Sequence, residues 1–285
     1  NFSEKMLSFT IVAALLLIFG VSNIACAETK ERKFTLISDP EKLVVIFVDG
    51  PAETSDDLPE DWIHLWNEAA LKVVLDGASN ELIKMNKSGH VEMPDVIAGD
   101  LETISNDTKQ YIKEANSAIQ LAQIKDEHKT DLEKAIDVVG EKLRANSGKF
   151  SSGILLLGSL HGRLDLIICA MHSMLAHVQK QPDIPIMALD DKNFMVIAPA
   201  GIIKMELSGI EFTGKSGIFP MGRPAKLSTK GFKWNLGANG DRENIQFGRK
   251  VSCCNNIQER ELLFNSTEPF LFTLELKKAN DVLKN

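Results

Sequence analysis

The run LVVIFV, residues 43–48, constrains the fold more than any other feature of the chain. It is short, continuously apolar and rich in β-branched residues. A strand with one wet face would alternate, whereas a strand covered on both faces reads in this way. Strands covered on both faces belong to parallel sheets, and parallel neighbours need long crossovers, usually helices. The following sequence supplies them. Trp62, Leu65, Trp66 and Ala69 have helical spacing. LKVVLDG, residues 71–77, is a second strand, and a helix is expected over 80–85. DVIAGD, residues 95–100, is a third strand. Helices are expected over 108–115 and 130–143, the latter with Leu132, Ala135, Ile136, Val139 and Leu143 on one face. GILLLGSL, residues 153–160, is a fourth strand, and 164–178 is a long apolar helix. From 43 to about 178 strand and helix alternate, which predicts a parallel α/β sheet. Near Pro182 the texture changes. IPIMAL, FMVIA, GIIKMEL, GIFPMG, FKWNL and FLFTLEL are short runs split by glycine turns, as in a β-sandwich or barrel-like domain. The expected organisation is an α/β domain over 35–180 and a β-rich domain over 181–280.

Charge narrows the function classes. The chain carries 39 acids against 32 bases, a net charge of −7, which argues against a nucleic-acid partner held by general electrostatics. The four cysteines, Cys26, Cys169, Cys253 and Cys254, include no C-x-x-C pair and so form neither a zinc site nor a disulfide framework. Residues 9–27, FTIVAALLLIFGVSNIACA, follow Lys5 and end in Ala25-Cys26-Ala27. That pattern reads as a secretory signal peptide starting at Met6, or alternatively as a signal anchor or a misjoined first exon, and residues 1–30 are expected to stand outside the fold.

Ligands of open parallel sheets bind beyond the carboxyl ends of the strands. Each expected strand ends in a polar or glycine signal there: Asp49-Gly50, Asp76-Gly77, Gly99-Asp100 and Gly158-Ser159. Asp100 and Glu102 leave their strand two residues apart, so both face one side if the chain stays extended. Two close carboxylates suit a hard cation such as Mg²⁺. A solvated loop leading to a helix cap is the alternative. Thr130 and Asp131 open a helix, as caps or as part of an anion site, with Lys134 one turn in. GSLHGRLD, residues 158–165, offers Gly158 and Gly162 for close backbone approach, and Arg163 and Asp165 at a helix start. It is not a P-loop, because G-x-x-x-x-G-K-[ST] is absent. Trp234, in GFKWNL, is either a core residue or a plate for an aromatic cation.

The ordered set resembles the thiamine pyrophosphokinase (thiamine diphosphokinase) family. LDGASN resembles A-D-G-G-A-N, GDLETI resembles G-D-x-D-S-I, and HKTDLEK resembles H-T-D-x-T-K. LGSLHGRLD resembles L-G-G-x-G-x-R-x-D. FPMGRPAKLSTKGFKWNL, FGRKVSCCNN and STEPFLFTLEL extend the likeness to about residue 278. The resemblance implies a Rossmann-like catalytic domain for ATP and Mg²⁺, a β-rich domain for thiamine, and a homodimer with sites at the interface. It implies transfer of pyrophosphate from ATP to the thiamine hydroxyl with release of AMP. By the same resemblance Asp100, Glu102 and Asp131 would hold Mg²⁺. Asp76, Asn80, Thr130, Lys134, Gly162, Arg163 and Asp165 would contact or orient ATP. Trp234, Ser252 and Asn255 would face thiamine. The family works in the cytosol, whereas residues 6–27 look secretory. A membrane is a partner only where that apolar segment is retained.

Four departures from the family pattern stand out. Glu102 replaces an aspartate, Ala78 a glycine, Glu127-His128-Lys129 a D-x-D-H stretch, and Leu166 a polar residue. They leave open a second reading, a weakly catalytic relative that binds thiamine or its phosphates.

Overall fold

The computed structural model describes residues 31–277, except 38, 50–57, 116–117, 147–149, 151 and 209. The signal-like segment, with Cys26, lies outside the described residues. Among the described residues no helix is long and apolar enough to cross a membrane.

Strands β2 (Leu43–Phe47) and β6 (Gly153–Leu157) are buried at every position and run parallel, Leu43 opposite Gly153 and Phe47 opposite Leu157. Beyond β2 lie β3 (Leu71–Leu75), β4 (Val96–Gly99) and β5 (Gln120–Gln123), all parallel. Beyond β6 lies β7 (Ile186–Leu189), also parallel. Strand order therefore runs outward from β2 in one direction and restarts in the other at β6. That reversal is a topological switch point, where a crevice opens past the carboxyl ends. The same sheet continues antiparallel through β8 (Asn193–Ala198), β15 (Phe270–Leu276), β10 (Phe212–Pro220) and β13 (Ser252–Asn256), ten strands in all. A second sheet of five strands follows the order β1 (Glu31–Thr35), β9 (Gly201–Glu206), β14 (Glu261–Ser266), β11 (Ala225–Lys230), β12 (Glu243–Ile245).

Two hydrophobic layers cover the long sheet, which is why its central strands do not alternate. On one face Val44, Ile46, Ile154 and Leu156 meet α4 (Asp131–Ala145) and α5 (Leu164–Lys180) through Ala135, Val139, Ala170 and Met174. On the other, Val45, Phe47, Leu155 and Leu157 share a cluster with Trp62 and Trp66 of α1 (Glu60–Asn67) and Leu82 of α2 (Asp76–Lys87). That cluster continues into the five-stranded sheet through Ile203, Met205 and Phe264. Each such side chain, once buried, contributes about 1.5–3 kcal/mol. The fold is a parallel α/β sheet with a C-terminal β-rich part, whose strands both lengthen that sheet and build the second one.

Three elements differ from the sequence expectation. β5 is an edge strand with the pattern QLAQ and mostly exposed side chains, so it carries no apolar run to announce it. IMAL of β7, expected among the β-rich segments, is the sixth parallel strand. The helix after β3 begins at Asp76, directly after the strand, because Leu75 keeps extended backbone angles and serves as its cap. A carboxylate in the first turn of a helix also meets the positive end of the dipole.

Candidate active site

The carboxyl ends of β3 and β4 and the start of α4 bring Asp76, Asp100 and Asp131 together. Each offers a carboxylate oxygen, and the three oxygens lie within 4.8 Å of one another. Asp76 is buried, and its two oxygens are used separately. Oδ1 accepts the Gly77 N–H at 2.8 Å and Oδ2 the Leu101 N–H at 3.1 Å. The close packing depends on Gly99. Its φ is 153°, and a Cβ there would stand 2.7 Å from the Asp76 Cγ. Burial, with the neighbouring charge of Asp131, pushes the Asp76 carboxyl above its ordinary pKa. Asp100 moves the other way: the Glu102 N–H, 2.9 Å from its Oδ1, holds it below the ordinary range, aided by Asp76 and Lys134.

Glu102 does not join this group. Leu101 takes φ 65°, a left-handed turn that breaks the alternation expected of an extended chain. The Glu102 side chain is consequently exposed, and what reaches Asp100 is its backbone N–H. Asp76, which local pattern alone left as a strand end, takes the third place among the acids.

Lys134 is not a surface lysine. It is 4% exposed, and its Nζ lies 2.9 Å from Asp131 Oδ1 and 3.9 Å from Asp100 Oδ2. Burial alone would lower its pKa, but Asp131, Asp100 and Asp76 together raise it, so the ammonium stays charged. Three carboxylates against one ammonium leave excess negative charge at a point rich in hard oxygen donors. That donor set fits a hard divalent cation and offers nothing to a soft one.

The flanking residues divide between bracing and exposure. Asn80 is spent on the acid loop: its Oδ1 accepts the Ser105 N–H at 2.9 Å and its Nδ2 donates to the Thr103 carbonyl at 3.0 Å. Thr130 caps α4 in a reciprocal box with Glu133. Arg163 and Asp165 are exposed at the start of α5 and pair through two contacts, 3.1 and 2.6 Å. Gly162, between His161 and Arg163, has φ 80° and open space around it. A cavity of about 370 Å³ opens at the switch point between these elements, lined by residues that include Asp49, Leu75, Asp131, Ser159, His161 and Leu166. Two of the family departures are placed differently with respect to it. Ala78 turns its methyl into the hydrophobic layers, while Leu166 lines the cavity and is 52% exposed.

In the β-rich part, Trp234 is 56% exposed, with the Lys233 Nζ 4.6 Å from its ring. Buried Asn255 holds its backbone at both polar atoms, donating to the Trp234 carbonyl at 2.9 Å and accepting from its N–H at 3.3 Å. Ser252 accepts from the same amide nitrogen at 3.2 Å. Asn255 is thus a brace for the tryptophan. Cys253 and Cys254 beside it are exposed free thiols, and Cys169 is a half-buried one at the cavity.

Fold and site together define a parallel α/β protein with a cation-competent acid cluster at its sheet edge and a β-rich half presenting an exposed aromatic plate. Both halves match family models: "Thiamin pyrophosphokinase, catalytic domain" over residues 62–187, and "Thiamin pyrophosphokinase, vitamin B1 binding domain" over residues 204–271. The chain belongs to the thiamin pyrophosphokinase family. Thiamin pyrophosphokinase 1 of Caenorhabditis elegans is 27% identical over 253 residues, 87% of this chain and 95% of that protein. Thiamine pyrophosphokinase 1 of Oryza sativa subsp. japonica is 29% identical, covering 75% of this chain and 81% of that protein. The fold is shared with thiamin pyrophosphokinase from Candida albicans, at TM-score 0.70 and 17% identity over 87% of this chain and 94% of that one.

Proposed function

We propose that the chain transfers pyrophosphate from ATP to the hydroxyl of thiamine, giving thiamine diphosphate and AMP, with Mg²⁺ as the metal. The acid cluster carries this reading: Asp76, Asp100 and Asp131 converge beside buried Lys134, and Asp131 also lines the switch-point cavity. These three carboxylates would hold Mg²⁺, which supplies positive charge to the polyphosphate oxygens. In-line attack of the thiamine hydroxyl oxygen on the β-phosphorus breaks the bond to the α-phosphate oxygen, and AMP leaves. The proton of the hydroxyl passes to solvent or to a nearby carboxylate. Lys134, permanently charged among the acids, offsets their repulsion and adds positive charge at the transferring group. Arg163, now paired with Asp165, is free to exchange that exposed pair for a phosphate, since such pairs are worth little in water. Trp234 offers a face on which the thiamine rings stack.

The same reading includes a homodimer. Leu164, Leu166 and Ile168, at the start of α5, are 70%, 52% and 57% exposed, and a second copy would cover them.

The test is a product assay. Purified protein is incubated with ATP, Mg²⁺ and thiamine, and nucleotides and thiamine phosphates are separated. AMP and thiamine diphosphate in equal amounts are expected. Formation of ADP with thiamine monophosphate, or thiamine binding with no AMP, overturns the proposal. Sedimentation at micromolar concentration tests the dimer.

A further inference from the structure

Cys253 and Cys254 are adjacent, exposed free thiols in β13, an edge strand of the long sheet. Neighbours in a regular strand face opposite sides. Here that alternation is broken. Ser216 pairs with Asn255 and Ile218 with Ser252, so Gly217 alone opposes both cysteines. That is a β-bulge, one extra residue in β13. The side chains record the same break. Ser252 and Asn255, three positions apart, would point to opposite faces of a regular strand, yet the Asn255 Nδ2 donates to the Ser252 Oγ at 3.2 Å. With those two on the inner face, the two cysteines share the outer one. Cys254 takes φ 56° there, a left-handed conformation uncommon outside glycine. Gly217, across from the pair, has no side chain to cover it.

We propose that Cys253 and Cys254 form a dithiol site for a soft thiophile that makes two bonds to sulfur, a trivalent arsenical being the type, and that its capture disturbs the clamp on Trp234. Thiolate sulfur is a soft donor. No third Cys, His, Asp or Glu among the described residues completes a metal-binding group with the pair. A structural zinc ion takes four protein ligands, so two sulfurs suit an atom content with two. The step with an arsenoxide, R–As=O, balances without a redox partner. Two As–S bonds replace the As=O bond, and both thiol protons leave with the oxygen as water. The second bond forms within one chain, which favours it by effective concentration.

A ring closed through two neighbouring residues fixes the backbone between them. Ser252 and Asn255 flank that backbone, and Asn255 holds both the carbonyl and the N–H of Trp234. Capture on the outer face therefore moves the brace on the inner one. The inference goes beyond the proposed reaction and does not depend on it.

The test is titration of the reduced full chain with phenylarsine oxide. An equimolar amount is expected to remove two thiols from reaction with an aromatic disulfide. Excess monothiol should leave the arsenical in place, and a dimercaptan should restore both thiols. Cys253→Ser and Cys254→Gly should each weaken capture about a hundredfold, the scale of losing the second bond of a chelate. Glycine at 254 also suits the left-handed backbone, so that variant keeps the bulge. Trp62 and Trp66 are 0% exposed, so the response is expected from Trp234. Its emission should change as the thiols are lost and recover with the dimercaptan, and Trp234→Phe should abolish the change. Loss of a single thiol per arsenical, displacement by monothiol, or tight capture by the double variant Cys253→Ser/Cys254→Gly overturns the site. Capture of both thiols with unchanged Trp234 emission overturns the link to the clamp.

Discussion

The acid cluster and the tryptophan plate are built to different standards of rigidity. Around the acids, fixation extends to side-chain oxygens. Asp76 is held by two backbone N–H groups, Asp100 by one, and Asp131 by Lys134. At Trp234 fixation stops at the backbone, which Asn255 clamps while the ring stays 56% exposed. The difference follows from the physics each site would use. Electrostatic stabilisation depends steeply on where charges sit, and its donors must be placed before the ligand arrives. Stacking on a flat ring tolerates small displacements and grows as the ligand excludes water. The first site should fail abruptly when disturbed, and the second gradually.

The largest effect is expected at Asp100. Asp100→Asn keeps the shape and the acceptor for the Glu102 N–H but removes a charge from the cation set. Turnover should fall about a thousandfold, the scale of losing several kcal/mol of charge stabilisation. Quenching of Trp234 fluorescence by thiamine should be unchanged, which tests the independence of the two sites. Loss of both together would show one cooperative unit instead.

Gly99→Ala tests rigidity without touching charge. A Cβ 2.7 Å from the Asp76 Cγ must push that carboxylate aside. Activity should fall about ten- to a hundredfold, as for the loss of an orienting partner of a metal ligand. The expected signature is a higher Mg²⁺ requirement in a chain that still melts cooperatively. Wild-type Mg²⁺ dependence in this variant would remove Asp76 from the cation set.

These two residues also mark how far the sequence alone could be followed. The runs at β2, β3, β4 and β6 announce a parallel sheet because both faces are covered, and the polar residues at their ends announce where ligands go. The ordered motifs identify the family across both halves. That Asp100 and Asp131 belong to one group could be expected from their motifs, and the structure brings the two together. The burial of Lys134 could not, because it comes from the packing of α4 against the sheet and its neighbouring acids, and a lone lysine carries no such signal. Likewise the 3.4 Å approach of the His161 ring to the Asp190 carboxylate joins residues far apart in sequence, and no spacing rule reaches it. β5 escaped because an edge strand needs no apolar alternation. The misplaced member was Glu102: period-two reasoning holds only for extended backbone, and one left-handed residue, Leu101, cancels it.

Trp234→Ala should give a smaller, graded loss. Removing an exposed plate that stacks on a cationic ring is expected to raise the thiamine KM about three- to tenfold, with kcat changed much less. Asn255→Ala should mimic part of this through loss of the clamp on the Trp234 backbone. A thousandfold loss in Trp234→Ala, equal to that of Asp100→Asn, would contradict the contrast between the two sites.

The smallest effect is expected where the family pattern alone would place a large one. Glu102 stands where relatives of this pattern carry an aspartate, and an aspartate there would be read as a ligand. Here the side chain points to solvent, and the contact with Asp100 is made by a backbone N–H that any residue except proline supplies. Glu102→Gln should therefore leave kcat and the Mg²⁺ requirement within about twofold of wild type, as for an exposed charge screened by water. Glu102→Pro removes the N–H itself and should lower activity far more, through Asp100. If Glu102→Gln instead approached the loss seen in Asp100→Asn, the loop would have to turn Glu102 inward when the cation binds. Leu101 would then have to leave its left-handed conformation, and that movement would be the element separating this chain's acid loop from a preformed one.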